Sequence, residues 1–138
     1  MDLDLDLARK ALAAQPFSRL LDARITAFGD GAATLELDIR DELRQQNGFV
    51  HGGVLSYAAD NTLTFAAGSV AGANLVTAGF TIDYLKPAVG ETLRARAEVV
   101  RAGRTRVICR CDITTLDASG TETLCAVAQG SIAIATAG

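Results

Sequence analysis

The decisive stretch reads Asn47-Gly-Phe-Val-His51-Gly52-Gly53 and continues Val54-Leu-Ser-Tyr-Ala-Ala-Asp60-Asn-Thr-Leu-Thr-Phe-Ala-Ala-Gly68. The second half is rich in good helix formers and carries one acid and no base, so it predicts a helix over about 53–68. His51 is the only histidine of the chain. The Gly-Gly pair at the helix start presents bare backbone N–H groups at its positive end. Asp60 follows two turns later.

At about 100° per residue, Gly53, Ser56, Tyr57, Asp60, Asn61 and Thr64 share one side of that helix. Val54, Leu55, Ala58, Ala59, Thr62, Leu63, Phe65 and Ala66 form the opposite arc and suit a sheet. Apart from Asp60, the polar stripe is uncharged. A freely solvated face would normally carry Lys, Glu or Arg, so the stripe is expected to pack against something, most simply a second copy of the same helix. Burial there would suit Asp60 for acid–base use near neutral pH. No Lys or Arg stands three or four positions after Asp60 to pair with it.

The rest of the chain reads as strand. Upstream, residues 5–14 predict a short helix stopped at Pro16, and 23–28 and 32–40 flank the hairpin signal Gly29-Asp30-Gly31. Leu35, Leu37 and Ile39 alternate with polar neighbours, as in a half-buried strand. Downstream, strands are expected over 75–85, 91–101, 105–116 and 122–135, with turns at Ala102-Gly103 and Asp117-Ala-Ser-Gly120. The simplest architecture is α+β, one antiparallel sheet curled around one long central helix, in a single domain over 1–138.

Composition narrows the function. Apolar residues make up 49% of the 138 and aromatics 5%, so the core is built from Val, Ile, Leu and Ala without staples. A net charge of −3 argues against a general nucleic-acid or anionic-membrane binder. No apolar run reaches membrane-spanning length, and the acidic start Met1-Asp-Leu-Asp lacks the basic region of a secretory signal. A cytoplasmic protein is expected. Cys109, Cys111 and Cys125 read as small buried hydrophobes, the first two on one face of a strand. One histidine makes a metal site unpromising, and neither a metal nor a cofactor is expected.

An anion-stabilising helix start with a lone acid in an apolar setting suits acyl-group hydrolysis. Gly53 and Asp60 are seven residues apart, roughly 10 Å along the axis. A reacting carbonyl must lie roughly 3 Å from both its oxyanion donor and its nucleophile or base. Two antiparallel helices across a two-fold axis meet both conditions, with Gly53 of one subunit facing Asp60 of the other. An obligate homodimer with shared sites is therefore expected.

Asn47, His51-Gly-Gly53, Asp60, the run Thr77-Ala-Gly-Phe-Thr-Ile-Asp-Tyr-Leu-Lys-Pro87-Ala, the Gly-Glu-Thr-Leu that follows and the Arg101-Ala-Gly-Arg104 turn together resemble the hotdog-fold acyl-CoA thioesterases, nearest the phenylacetate-pathway group. The resemblance covers about 20–135. It implies an acyl-CoA substrate hydrolysed to free acid and CoA. Gly53 would polarise the thioester carbonyl. Asp60 would be nucleophile or general base. Asn47 would hold the water or orient the thioester. Thr77 would help position the water from the subunit that supplies Asp60, and His51 would brace the loop and the carbonyl oxygen. In a related branch acting on aromatic hydroxyacyl- and naphthoyl-CoA the helix acid is typically Glu, so Asp60 points away from it. Aryl-acetyl and short-to-medium-chain acyl groups both stay open. Related proteins form tetramers, and a homotetramer is expected here.

Arg94, Arg96, Arg101, Arg104, Arg106 and Arg110 gather around one hairpin. The default reading is a solvated face of alternating charge; the sharper one is a contact to the CoA phosphates, with Arg104 the best single candidate. Two rival functions exist on the same architecture. An acyl-CoA-binding module without catalysis usually carries a DNA-binding extension and loses the acid, whereas Asp60 is present. A hydratase would require a Gly-Asp-x-Asn-Pro-x-His type motif, which this sequence lacks.

Overall fold

The computed structural model describes residues 4–135. Helix α1 (Leu5–Ala13) starts at Asp4, whose carboxylate accepts the Leu7 N–H at 2.9 Å. Helix α2 (Pro16–Leu21) follows after a two-residue break. Pro16, expected as a stop, is also the first residue of the next helix, where its missing N–H costs nothing. Strands β1 (Arg24–Gly29) and β2 (Ala32–Asp38) form the expected hairpin, and a 3-10 turn (Asp41–Leu43) leads into the loop before α3 (Gly52–Ala71). Four strands complete the chain: β3 (Leu75–Tyr84), β4 (Thr92–Ala102), β5 (Arg106–Leu116) and β6 (Glu122–Ile134). No described helix is long and apolar enough to cross a membrane.

The described strands form one antiparallel sheet in the order β1-β2-β4-β5-β6-β3, and α3 lies across it. The inward faces follow the period-two pattern: Ala33, Leu35 and Leu37 on β2, and Val107, Cys109, Cys111 and Ile113 on β5, are all buried. They meet Leu55, Ala58, Ala59, Leu63 and Ala66 of α3. Alanines at the helix surface let the backbones approach closely, and the branched residues of the sheet fill the space between. Fully burying a side chain such as Leu63 contributes about 1.5–3 kcal/mol.

One close approach positions the site. At Gly130 of β6 an added Cβ would lie 2.7 Å from the Phe80 Cβ, 2.9 Å from the Gly79 carbonyl and 3.2 Å from a Leu63 methyl. Only glycine lets β3 and α3 come together here. β3 also carries a bulge between Thr77 and Gly79. Such a bulge bends the strand and re-aims its side chains, and Thr77 is turned toward the helix.

Candidate active site

Asp60 lies half-buried on α3 and faces β3. The Thr77 hydroxyl donates to its Oδ1 at 2.6 Å. Thr64, one turn along the helix, sits 2.9 Å from the Thr77 hydroxyl and 3.0 Å from the Asp60 carbonyl. With the Thr77 proton committed to the carboxylate, Thr64 donates to Thr77 or to the helix carbonyl. Asp60 and Thr77, expected to come from the same subunit, are joined within one chain by this hydrogen bond.

Elsewhere on the polar stripe Gly53 is exposed, whereas Tyr57 and Asn61 are half-buried. Tyr57 and Asn61 meet the corner between α1 and α2. Asn61 donates to the Tyr57 hydroxyl (3.1 Å) and to the Gln15 amide oxygen (3.1 Å). Ser18 is buried, lies 2.6 Å from the Tyr57 hydroxyl and donates to Gln15 at 2.6 Å. Burial pushes the Tyr57 phenol above its ordinary value, against the opposing pull of its Ser18 and Asn61 bonds. Because the Ser18 hydroxyl donates to Gln15, the Tyr57 hydroxyl is the donor in its bond to Ser18. This collar is the chief feature that sequence reasoning missed. The stripe calls for a covering partner, and much of that cover comes from the chain's own N-terminal segment.

The helix start departs from expectation in one respect. His51 is the N-cap, and its Nδ1 accepts the Gly53 N–H at 2.8 Å. The Gly53 donor is thereby used locally, and the imidazole is exposed. Val54 and Leu55 donate to the His51 carbonyl at 2.9 and 3.4 Å. Among the described residues, Gly52 is the N–H of this first turn with no acceptor. Tyr84, at the end of β3, donates to the Gly52 carbonyl at 3.1 Å and lies 2.8 Å from the Ser56 hydroxyl, pinning the helix start to the sheet. The Tyr-Leu-Lys-Pro strand end was the sequence signal for this anchor.

Asn47 is exposed on the loop before α3. The loop closes on itself through Gln45 N–H to the Phe49 carbonyl (2.8 Å) and Gly48 N–H to the Gln45 carbonyl (3.1 Å). No hydrogen bond joins Asn47 to Asp60 within the chain. The helix start opens on a cavity of about 390 Å³ lined by Gly52, Phe49, Leu55, Tyr84 and Lys86. Asp60 and Thr77 line a separate one of about 360 Å³ with Phe17, Tyr57 and Val76, and the two cavities share no residue. Within one chain, then, the free N–H and the carboxylate look into different spaces.

The basic hairpin divides. Arg94 pairs with Glu36 (2.8 Å), Arg96 with Glu122 (2.6 Å) and Arg110 with Glu98 (3.4 Å), as a solvated face of alternating charge would. Arg106 donates to Ser131 at 3.0 Å. Arg104 is exposed in the β4–β5 turn and makes no ion pair among the described residues. This turn touches the start of β3 through β6, since Ile134 donates to the Thr105 carbonyl and pairs with Leu75. Cys109, Cys111 and Cys125 are buried and free. Burial pushes the Cys109 thiol up to about 11 and that of Cys111 up to about 12, so neither is a nucleophile at neutral pH. No cluster of metal-ligating side chains occurs among the described residues.

Fold and sequence together define the class. The chain belongs to the thioesterase superfamily, a family of thioester hydrolases, whose model matches residues 47–120, more than half of its length. A thioesterase family protein from Silicibacter pomeroyi is similar at 31% identity and a TM-score of 0.86, over 91% of this chain and 93% of that one. The PaaI protein of the Escherichia coli phenylacetic acid degradation operon has a TM-score of 0.82 over 94% and 91% at 21% identity, a likeness of fold, here the hotdog fold. A curated relative from Saccharolobus solfataricus, named as a candidate esterase, is 29% identical over 91 residues. The matched part is 65% of that protein's length.

Proposed function

We propose that this protein hydrolyses acyl-CoA thioesters at a site completed by two copies of the chain. The observation that carries the reading is the Asp60–Thr77 bond of 2.6 Å beside an open groove, with an unused helix-start N–H on the same helix. The two groups stand eight residues apart, about 12 Å along α3. An antiparallel α3 from a second copy brings its own Gly52 over the first copy's Asp60. We place the oxyanion donor at Gly52, because the Gly53 N–H already serves the His51 ring. Gly53 and His51 then act together as the cap that fixes the loop.

Two chemical routes use the same carboxylate. As general base, Asp60 takes a proton from water while the new C–O bond forms at the thioester carbon. As nucleophile, it forms a mixed anhydride that water then cleaves. In both, charge collects on the carbonyl oxygen beside Gly52, the C–S bond breaks, and CoA leaves as the thiolate and is protonated. Thr77 holds the carboxylate in its reacting rotamer. Asn47 of the second copy would orient the water or the thioester, and Arg104 would meet the CoA phosphates.

The edge strand supports the assembly. Among the described residues β3 has one unpaired edge; it is ten residues long and exposes Val76 at 58%, beside Phe17 at 58% on the rim of the Asp60 groove. A long exposed edge of this kind is normally covered. A homodimer pairing here, and a homotetramer built from two dimers, are the assemblies proposed. Three unbridged thiols suit a reducing compartment such as the cytoplasm. Thiol release from a panel of acyl-CoAs, with Asp60→Ala alongside, tests the reading. Turnover that the variant loses supports it. Turnover that survives removes Asp60 from the chemistry, and binding without turnover leaves an acyl-CoA-binding module.

A further inference from the structure

We infer that the acyl group enters a chamber between α1 and α3, so that the N-terminal helix selects the substrate; this rests on the hydrolase reading above. The chamber measures about 380 Å³, within the range of small-molecule sites. Leu7, Ala8 and Ala11 of α1 form one wall, and Phe28, Phe65 and Gly68 line the rest of the interior. Phe28 and Phe65 meet edge to face at 6.4 Å, which fixes both rings.

Continuity with the acid assigns the occupant. Gln15, Asn61, Thr64 and Leu75 line both this chamber and the groove that holds Asp60. Thr64 touches Thr77, and Thr77 touches Asp60. A thioester carbonyl held at Asp60 therefore has the chamber mouth beside it. From Asp60 to Gly68 the helix rises about 12 Å, which gives the chamber depth along α3. The Gln15–Ser18–Tyr57–Asn61 collar holds the α1–α2 corner on α3 at that mouth, so the wall is set by hydrogen bonds rather than by loose packing.

The lining also states the chemistry. Among the described residues, the polar side chains Gln15, Asn61 and Thr64 are all at the mouth, and no charged side chain lines the chamber. An uncharged, apolar acyl group fits. A terminal carboxylate or a para-hydroxyl carried to the inner end would lose water and find no side-chain partner. The substrate class is thus apolar acyl-CoA, medium-chain or aryl-acetyl, and dicarboxylic and hydroxyaryl thioesters are rejected.

The test is a chain-length series from acetyl- to octanoyl-CoA, with phenylacetyl-, 4-hydroxybenzoyl- and glutaryl-CoA, on the wild type and Ala11→Leu. Ala11 is exposed on α1, so the larger side chain is compatible with folding, checked by circular dichroism and Tm. The wild type is expected to gain about fourfold in kcat/KM per methylene until the chamber fills. It should turn over glutaryl- and 4-hydroxybenzoyl-CoA at least tenfold more slowly than the apolar compounds. Ala11→Leu is expected to cut the octanoyl-to-acetyl ratio by tenfold or more, with Gly68→Ala acting in the same direction if Ala11→Leu fails to fold. A flat series, or ratios that neither variant moves, overturns the chamber and leaves the hydrolase reading intact. If no thioester is turned over, the hydrolase reading fails. The same ratios are then read as Kd values by calorimetry, and their flatness overturns the chamber independently.

Discussion

The two ends of the proposed site on α3 are built on opposite principles. Around Asp60 everything is wired within the chain: Thr77 holds the carboxylate, Thr64 backs Thr77, and Asn61 and Tyr57 tie in the N-terminal segment. At the helix start the chain supplies only the frame. His51 uses the Gly53 N–H, Tyr84 anchors the Gly52 carbonyl, and the Gly52 N–H has no acceptor among the described residues. A carboxylate must be oriented before substrate arrives, whereas an oxyanion donor is useful only while vacant. The contrast explains why one half reads as a finished constellation and the other as a single spare hydrogen bond.

The sharpest way to break this comparison is to remove the charge at the wired end. Asp60→Asn keeps the shape and is expected to lower kcat by about 10²–10⁴-fold, read by thiol release with the fold checked by circular dichroism. At the other end, Gly52→Pro deletes the one N–H at issue. Proline is tolerated at the first helical position, and His51 already has the extended ψ of 136° that a following proline requires. A loss of about 10²–10³ in kcat is expected, and near-normal kcat would return the oxyanion role to another donor. Gly130→Ala separates structure from chemistry. The added methyl meets the Phe80 Cβ at 2.7 Å and should cost about 1–3 kcal/mol in denaturant unfolding while disturbing the Thr77 side. The smallest effect is expected from Arg104→Ala, a KM rise of a few-fold that shrinks as salt is added, with kcat unchanged; a KM insensitive to both would remove Arg104 from CoA binding.

What the sequence made legible, and what it did not, follows the range of the interactions. The α3 stripe and the inward residues of β2 and β5 could be read because periodicity is local. Asp60 and Thr77 could be singled out one by one, but their contact depends on a bulge in β3 and on Gly130 in a distant strand. Pro16 is both a stop signal for one helix and a start signal for the next, and residue order alone does not say that both apply, so α2 and its Ser18 lie beyond the sequence reading. The choice between Gly52 and Gly53 rests on the direction of one imidazole nitrogen, which residue order does not encode. The strand order, with β3 returning to the far edge beside β6, also lies beyond local pattern.

The central claim, a site shared between two copies, is tested most directly by complementation. Inactive Asp60→Ala and Gly52→Pro chains are unfolded together, refolded at equal amounts and assayed for thiol release. In the shared-site account each mixed dimer regains one intact site, so activity recovers to about one quarter of wild type. Activity that stays at the average of the two inactive proteins, with mixed dimers present by native mass spectrometry, would contradict the account and return the whole site to one chain.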